Sequence, residues 1–515
     1  MGQETMVSLL PVEFAPEIQH KKITLSQRTL VEHDAVILVI NADDVHPQLE
    51  RCPQSKLLQQ QYSRTQAKGK TQSLRCNDSS SGCLLVVGFA KPTASRFEQL
   101  SLAGKLWKEL EAHAAERVAI ACLGFEPSAA EALLNAVVAA VLAGAAPLPS
   151  YKTSVAGKST LQTITVLHET QSATLAAAIA RTTATQAGNH LARWLTTLPP
   201  NELNCGSYRK ALQQLAKREG WQAEFFDLAK LKQLKAGAFL AVARANSLPE
   251  AGIMRLRYSG ATTPSKAKRH AGKVALTLVG KGICFDTGGI NLKSHKSMYD
   301  MHTDMQGSAV AVGTLLALTQ LKVPFAIECW LALTENEIGP NAYRPQEVIT
   351  AANGVTIQVV HSDAEGRMAL ADTLSLAARE RPALMLDFAT LTGACVAALT
   401  ERMSGAFSNR AELRDAIELA GRNSGERVWN FPMDADFDAD LDSPIADIMQ
   451  CTLDNKGDHI LAARFLNRFV PDSVPWVHID LSSSSRSGGL AHIPTDITGF
   501  GVRWAVEFVT QHGFN

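Results

Sequence analysis

Two apolar patterns alternate along this chain. Short unbroken runs of apolar residues mark strands buried on both faces, and longer stretches with Leu and Ala at helical spacing mark amphipathic helices. Residues 34–43 (DAVILVINAD), 84–90 (LLVVGFA), 118–123 and 161–167 read as buried strands, with helices over 94–117 and 128–146. Residues 50–82, rich in Gln, Lys, Ser and Thr and closing on SSSG, read as a surface loop with a short helix. An Ala-rich stretch, 171–196, predicts a long helix that ends before Pro199 and Pro200, because proline lacks the donor a helix needs and restricts the residue before it. The alternation then resumes. Helices are expected over 206–217, 228–234, 305–320 and 367–379, and strands over 221–226, 238–243, 252–258, 273–279, 324–333 and 382–388.

This order predicts an α/β protein of two domains. A smaller N-terminal α/β domain covers 1–160, a linking strand and helix cover 161–197, and a larger C-terminal domain covers 198–515. The latter is expected to hold a central, mostly parallel mixed sheet flanked by helices. At 515 residues the chain exceeds the usual size of one hydrophobic core, in keeping with that division. No internal repeat is visible.

Composition narrows the possibilities. Apolar residues make up 46% and charged residues 19%, and 50 Lys plus Arg balance 50 Asp plus Glu, so no bulk charge invites nucleic acid or an anionic membrane. The opening MGQETMVSLLPVEFAPEIQHKK lacks a basic segment leading into an apolar one, which argues against a secretory signal. The apolar run from Ala115 to Leu148 is interrupted by Glu116, Arg117, Glu126 and Glu131 and reads as a buried strand and helix, not a membrane span. Nine scattered cysteines fit reduced thiols in a cytoplasm.

Polar chemistry concentrates in two places. From Val279 to Ala309 the chain leaves the apolar strand ALTLVG and gathers Lys281, Asp286, Lys293 and Asp304 around Gly288 and Gly289, which allow the backbone to approach a ligand closely. The second place is VVHSDAEGRMALAD at 359–372, where Asp363 and Glu365 stand between a β-branched run and a helix. Ligands of parallel sheets bind at the carboxyl ends of the strands, where both segments are expected to lie. Four carboxylates without clustered histidines suit hard divalent cations, and Zn²⁺ also accepts carboxylate oxygen. On residues alone two readings stay open: a metal-dependent hydrolase, or a helix-start cap with a salt bridge beside a structural turn.

At these residues the chain resembles the leucyl aminopeptidase, or cytosol aminopeptidase, family of peptidases (M17). The family signature NTDAEGR appears as HSDAEGR from His361 to Arg367, and the metal segment as VGKG, FDTGG, Lys293 and DMQG at matching spacing. LPPNEL at 198–203, DFATLTGA at 387–394, SGERVW at 424–429 and TGFGVR at 498–503 agree, and the similarity runs over about 165–505. The resemblance implies a metallo-aminopeptidase that binds two divalent metal ions per subunit (Zn²⁺ or Mn²⁺, with Mg²⁺ also compatible). It assigns Asp286 and Glu365 to the bridge between the metals, Asp363 to the exchangeable ion, and Lys281 and Asp304 to the tighter one, which also receives the substrate amine. Lys293 would stabilise the oxyanion formed when a metal-bridging hydroxide attacks. Arg367 would hold a bicarbonate that acts as general base. Met301, Thr390, Leu391 and Gly393 match positions that contact substrate. The implied partners are short peptides with a free N-terminus and five further copies of the chain in a homohexamer, a dimer of trimers, in the cytoplasm.

Some positions depart from the pattern. His361 and Ser362 replace Asn and Thr, Gln306 replaces a glycine, and CTLDNKGDHILAARF at 451–465 replaces a Gly- and Ala-rich stretch near the specificity pocket. Asp458 and His459 there put a preference for leucine-like side chains in doubt, because a polar pocket wall penalises an apolar group. A narrow dipeptidase, for example for Cys-Gly, is an alternative. Another is an aminopeptidase that also binds DNA as a regulator, through basic residues at 64–70, KLKQLK at 230–235 and SKAKRH at 265–270. VAGKST at 155–160 lacks the first glycine of a phosphate-binding loop, and neither HExxH nor GxSxG occurs.

Overall fold

The most continuous apolar runs form the centres of two sheets. The computed structural model describes residues 8–67, 73–153, 159–169, 172–261 and 274–512. The N-terminal sheet contains β1 (Glu17–Lys22), β2 (Ala35–Asn41), β3 (Ser73–Asn77), β4 (Leu84–Ala90), β5 (Arg117–Leu123) and β6 (Thr163–His168) in the order β1-β6-β5-β2-β4-β3. All its neighbours are parallel except β3 with β4. Helices Arg96–Leu110 and Pro127–Ala145 cover one face, and Val45, Leu49, Leu58 and Tyr62 fill the other. The helix Pro127–Ala145 is long and apolar enough to cross a membrane, but most of it is buried in this core.

The linking strand expected at 161–167 is a full member of this sheet, paired on both sides, and the expected loop at 50–82 contains the helix Ser55–Gln66 and the edge strand β3. The expected helix over 94–117 ends as an α-helix at Leu110. The helix Ala173–Thr197 then ties the two halves together: Leu175 and Ile179 belong to the N-terminal core, and Leu191, Trp194 and Leu195 to the C-terminal one.

The second half continues with β7 (Gln222–Asp227), β8 (Gly252–Tyr258), β9 (Val274–Asp286), β10 (Ala326–Asn336), β11 (Val348–Thr350) and β12 (Thr356–Gln358). Then follow β13 (Leu384–Ala389), β14 (Ser404–Ser408), β15 (Val428–Asn430), β16 (Ile448–Met449) and β17 (Trp476–Asp480). The large sheet runs β15-β14-β17-β13-β9-β10-β8-β7, and a small one β11-β12-β16. The centre of the large sheet, β17-β13-β9-β10, is parallel, while β8 and β7 at one side and β14 against β17 at the other are antiparallel. The sheet is therefore mixed with a parallel centre, as expected.

The run 238–243, read as a strand, is the helix Gly237–Ala243. Its apolar residues carry no strand alternation, Ala favours helix, and the buried Asp372 carboxylate accepts the Phe239 N–H at 2.8 Å at the helix start. Where helix Ala173–Thr197 crosses helix Gln306–Gln320, a Cβ on Gly188 would stand 2.2 Å from Gly313 O, and one on Gly313 2.4 Å from Gly188 O. Both obstacles are backbone and cannot swing aside. Gly313→Val is expected to cost at least about 2 kcal/mol through overpacking, read as a lowered thermal midpoint. An unchanged midpoint would show that the helices separate freely.

The basic run KLKQLK begins within the short helix Leu228–Gln233 beside the edge strand β7. Residues 68–70, the run SKAKRH and most of VAGKST lie outside the described residues.

Candidate active site

Three adjacent parallel strands, β9, β13 and β17, deliver their carboxyl ends to one cavity of about 810 Å³, with the end of β10 directly behind it. Asp286 ends β9, Asn336 ends β10, Asp480 ends β17, and Thr390 follows β13. The β9–β10 register slips between Thr334 and Asn336, a bulge that re-aims the strand ends just where the acidic residues begin. After Asp286 the chain turns through Gly288 at φ +86°, and a Cβ there would meet Asn291 O at 2.5 Å and Asp363 Oδ1 at 3.0 Å. Only glycine permits both the left-handed turn and the close approach of the two segments.

The structure brings the two acidic segments together. Carboxylate oxygens of Asp286, Asp363 and Glu365 lie within 4.8 Å of one another. Lys293 Nζ stands 2.9 Å from Asp286 Oδ2 and 2.5 Å from Asp363 Oδ1. Lys281 Nζ lies 2.8 Å from Asp304 Oδ1 and 3.0 Å from Glu365 Oε1, and donates to Thr390 O at 2.8 Å. The Thr390 hydroxyl donates to Asp304 Oδ1 at 2.7 Å, leaving Asp304 Oδ2 buried without a partner.

Charge is not balanced by these contacts. Four carboxylates face two ammonium groups, and burial makes the excess costly. Burial and the neighbouring Asp286 push the Glu365 carboxyl up to about 8, against the opposing pull of Lys281. Burial likewise raises Asp304 to about 6, although Lys281 opposes it, and burial raises Asp363. Burial alone would lower both lysines, but Asp304 and Glu365 around Lys281, and Asp286 and Glu365 around Lys293, raise them instead. Divalent cations would supply the missing positive charge and occupy the open Asp304 oxygen. This donor set therefore fits metal, with Lys281 required to give up its proton if it is to become a ligand.

Met301, Thr390, Leu391 and Gly393, the expected substrate contacts, all border the cavity. The loop that carries Thr390, Leu391 and Gly393 is held by Asp480, which accepts from Leu391 N at 3.1 Å and from the Thr392 hydroxyl at 2.6 Å. Gln306 finds room by donating to the Ser485 hydroxyl at 3.1 Å. His361 is exposed at the cavity edge, where its Nδ1 accepts the Asp363 N–H at 3.2 Å.

Three supporting residues had no signal in the sequence. Asn336 Nδ2 stands 2.8 Å from Asp286 Oδ1, 3.0 Å from Ser362 O and 3.3 Å from Glu365 Oε2, tying both acidic segments to the end of β10. Tyr343 donates to Ser362 O at 2.7 Å. Asp480 is the third. An Asn or an Asp at a strand end, or a Tyr in a loop, is commonplace, and only the folded chain makes these neighbours.

Arg367, expected to hold a bicarbonate, lies against acceptors of the chain itself. Its guanidinium, 2% exposed, does not present free donors to a bicarbonate: Nη2 lies 3.0 and 2.9 Å from the two Asp458 oxygens, and Nη1 donates to Gln450 O at 3.1 Å. Asp458 is thus charge-paired and is not a bare polar wall. His459 turns its ring against Phe431, centroid to centroid 4.4 Å.

Residues 190–506 match the cytosol aminopeptidase family, catalytic domain. The chain belongs to that family. It is 40% identical over 324 residues to a probable cytosol aminopeptidase of Rhodopseudomonas palustris and over 328 residues to one of Methylorubrum populi. These matches span 62% of this chain and 62–63% of those relatives, so the chain matches just under two thirds of their length. Among solved structures, a mutant of tomato leucine aminopeptidase superposes with TM-score 0.83 at 26% identity over 98% of both chains. The bottromycin maturation enzyme BotP in complex with Mn gives 0.77 at 26% identity, covering 93% of this chain and 99% of its own. The family's catalytic domain thus contains every residue of the cavity cluster described above.

Proposed function

We propose that this chain is a metal-dependent aminopeptidase that removes N-terminal residues from short peptides. The observation that carries the reading is the convergence within 4.8 Å of Asp286, which closes β9, Asp363, in the turn after β12, and Glu365, the first residue of helix Glu365–Ala377, inside the family's catalytic domain. Asp286 and Glu365 would be shared between two divalent cations, with Asp363 serving one and Lys281 and Asp304 the other. The carboxylate-rich set suits Mn²⁺ and Zn²⁺ and accepts Mg²⁺, and the likeness to a Mn-bound enzyme supports the first. When bound, such cations acidify water and polarise a carbonyl.

The chain's own residues do the rest. Lys293, the ammonium facing the cavity between Asp286 and Asp363, would stabilise the oxyanion that forms on the scissile carbonyl. The unpartnered Asp304 Oδ2 marks the acidic end where a free substrate amine is received, and Met301, Thr390, Leu391 and Gly393 border the first side chain and substrate backbone. A cytoplasmic setting is supported by the cytosolic relatives and by nine cysteines that are all free and buried. The homohexamer belongs to the same reading, by resemblance to the family.

The test is hydrolysis of aminoacyl p-nitroanilides, dipeptides and their N-acetylated counterparts by metal-stripped protein reloaded with Mn²⁺, Zn²⁺ or Mg²⁺. Cleavage that returns with metal and requires the free amine is the expected result. Equal cleavage of acetylated substrates, or none across the panel by folded protein, overturns the reading.

A further inference from the structure

A buried guanidinium needs an anion, and here the chain provides it. Arg367 lies in the first turn of helix Glu365–Ala377, and Asp458 opens helix Asp458–Asn467 after the left-handed Gly457, 91 residues away. Both Asp458 oxygens engage Nη2, Nη1 is taken by Gln450 O, and Nε is buried with no partner and closed to solvent. No pair of outward N–H groups is left for a dissolved anion. A bicarbonate brought beside Asp458 would also place a second negative charge against the first, in a region where burial strengthens the repulsion.

We infer that Asp458 is the resident anion of Arg367: a side-chain carboxylate takes the position a diffusible bicarbonate would otherwise fill, and catalysis does not depend on dissolved bicarbonate. The inference rests on the aminopeptidase reading for its catalytic meaning, and on geometry alone for the occupancy of Arg367. Asp458 and Arg367 border the same cavity as Glu365 and Lys293. Held there, the carboxylate takes a proton from the attacking water and returns it to the departing amine, which leaves Asp458 ionised at the end of each turnover.

The experiment uses the metal-loaded full chain in carbonate-free buffer, with bicarbonate or formate as the added anion. The wild type is expected to show the same rate with and without either anion, and no anion-induced rise in thermal midpoint. Asp458→Ala is expected to lose about 10²-fold or more in kcat and to regain a large part of it on addition of bicarbonate or formate. Its thermal midpoint should fall and then rise with the same anions, a change independent of turnover. Asp458→Asn keeps the shape without the charge, and should lose activity while remaining folded. Stimulation of the wild type by bicarbonate, or an Asp458→Ala enzyme at full rate in carbonate-free buffer, would overturn the inference. If no substrate is cleaved by any metal form, the aminopeptidase reading fails, and the thermal response to anion still decides what occupies Arg367.

Discussion

Glu365→Gln is expected to lower metal-dependent hydrolysis by at least about 10³-fold, corresponding to about 4 kcal/mol of lost transition-state stabilisation. The replacement is nearly isosteric and keeps a group able to bond Lys281 and Asn336, so the fold is preserved while the charge at the centre of the cluster disappears. Metal content after dialysis should fall with it. The metal-free proteins give a second readout. Below about pH 4.5, the ordinary value for Glu, the carboxyl is neutral in folded and unfolded chains alike. Between there and about 8 the unfolded chain releases the proton while the folded one keeps it, so Glu365 makes stability fall as pH rises, levelling off above that value. Thermal midpoints of the metal-free wild type should decline across this window more steeply than those of Glu365→Gln. A variant that hydrolyses at the normal rate would remove Glu365 from the metal site.

How far this site could be read in advance depended on how far its residues are spread along the chain. The acidic segments were legible because each is local: Asp286 with its glycines closes the apolar run of β9, and Asp363 with Glu365 follows another apolar run, though there the strand β12 stops at Gln358 and Asp363 lies in the turn that leads into helix Glu365–Ala377. Asn336, Tyr343 and Asp480 were not, because their importance comes from the alignment of β10 beside β9 and of β17 beside β13, and from a loop that closes over Ser362. The pairing of Arg367 with Asp458 was hidden for the same reason. Asp458 stood out as a departure, and the sequence suggested a pocket wall; a contact between two helices so far apart in the chain has no local signature.

The fold shows the same division. Strands β2, β4 and β5 are buried on both faces and read as unbroken apolar runs. Edge strand β3 alternates polar and apolar residues and edge strand β1 is polar at all but Ile18, so that in hydrophilic surroundings each resembles a loop. The helix at 237–243 failed on the opposite ground: a short apolar run has no period to separate helix from strand, and a tertiary contact with Asp372 settles it.

Lys293→Met is expected to reduce kcat by about 10²–10³-fold with little change in KM, since in the proposed role Lys293 would stabilise charge that develops only toward the transition state. The direction of its effect on metal binding separates this role from that of a ligand. In the metal-free protein the Lys293 ammonium lies against Asp286 and Asp363, two of the carboxylates a cation would use. Removing that competing charge leaves both acids unpaired, so metal affinity should hold or increase, whereas loss of a true ligand would weaken it. Calorimetric titration with Mn²⁺ beside steady-state kinetics gives both quantities on one preparation. A variant with weakened metal binding and an otherwise normal kcat at saturating metal would make Lys293 a ligand and leave the oxyanion without its ammonium partner. Retained metal with a collapsed kcat would place Lys293 at the reacting carbonyl, with the carboxylates of Asp286 and Asp363 that pair it in the metal-free protein taken over by the cations.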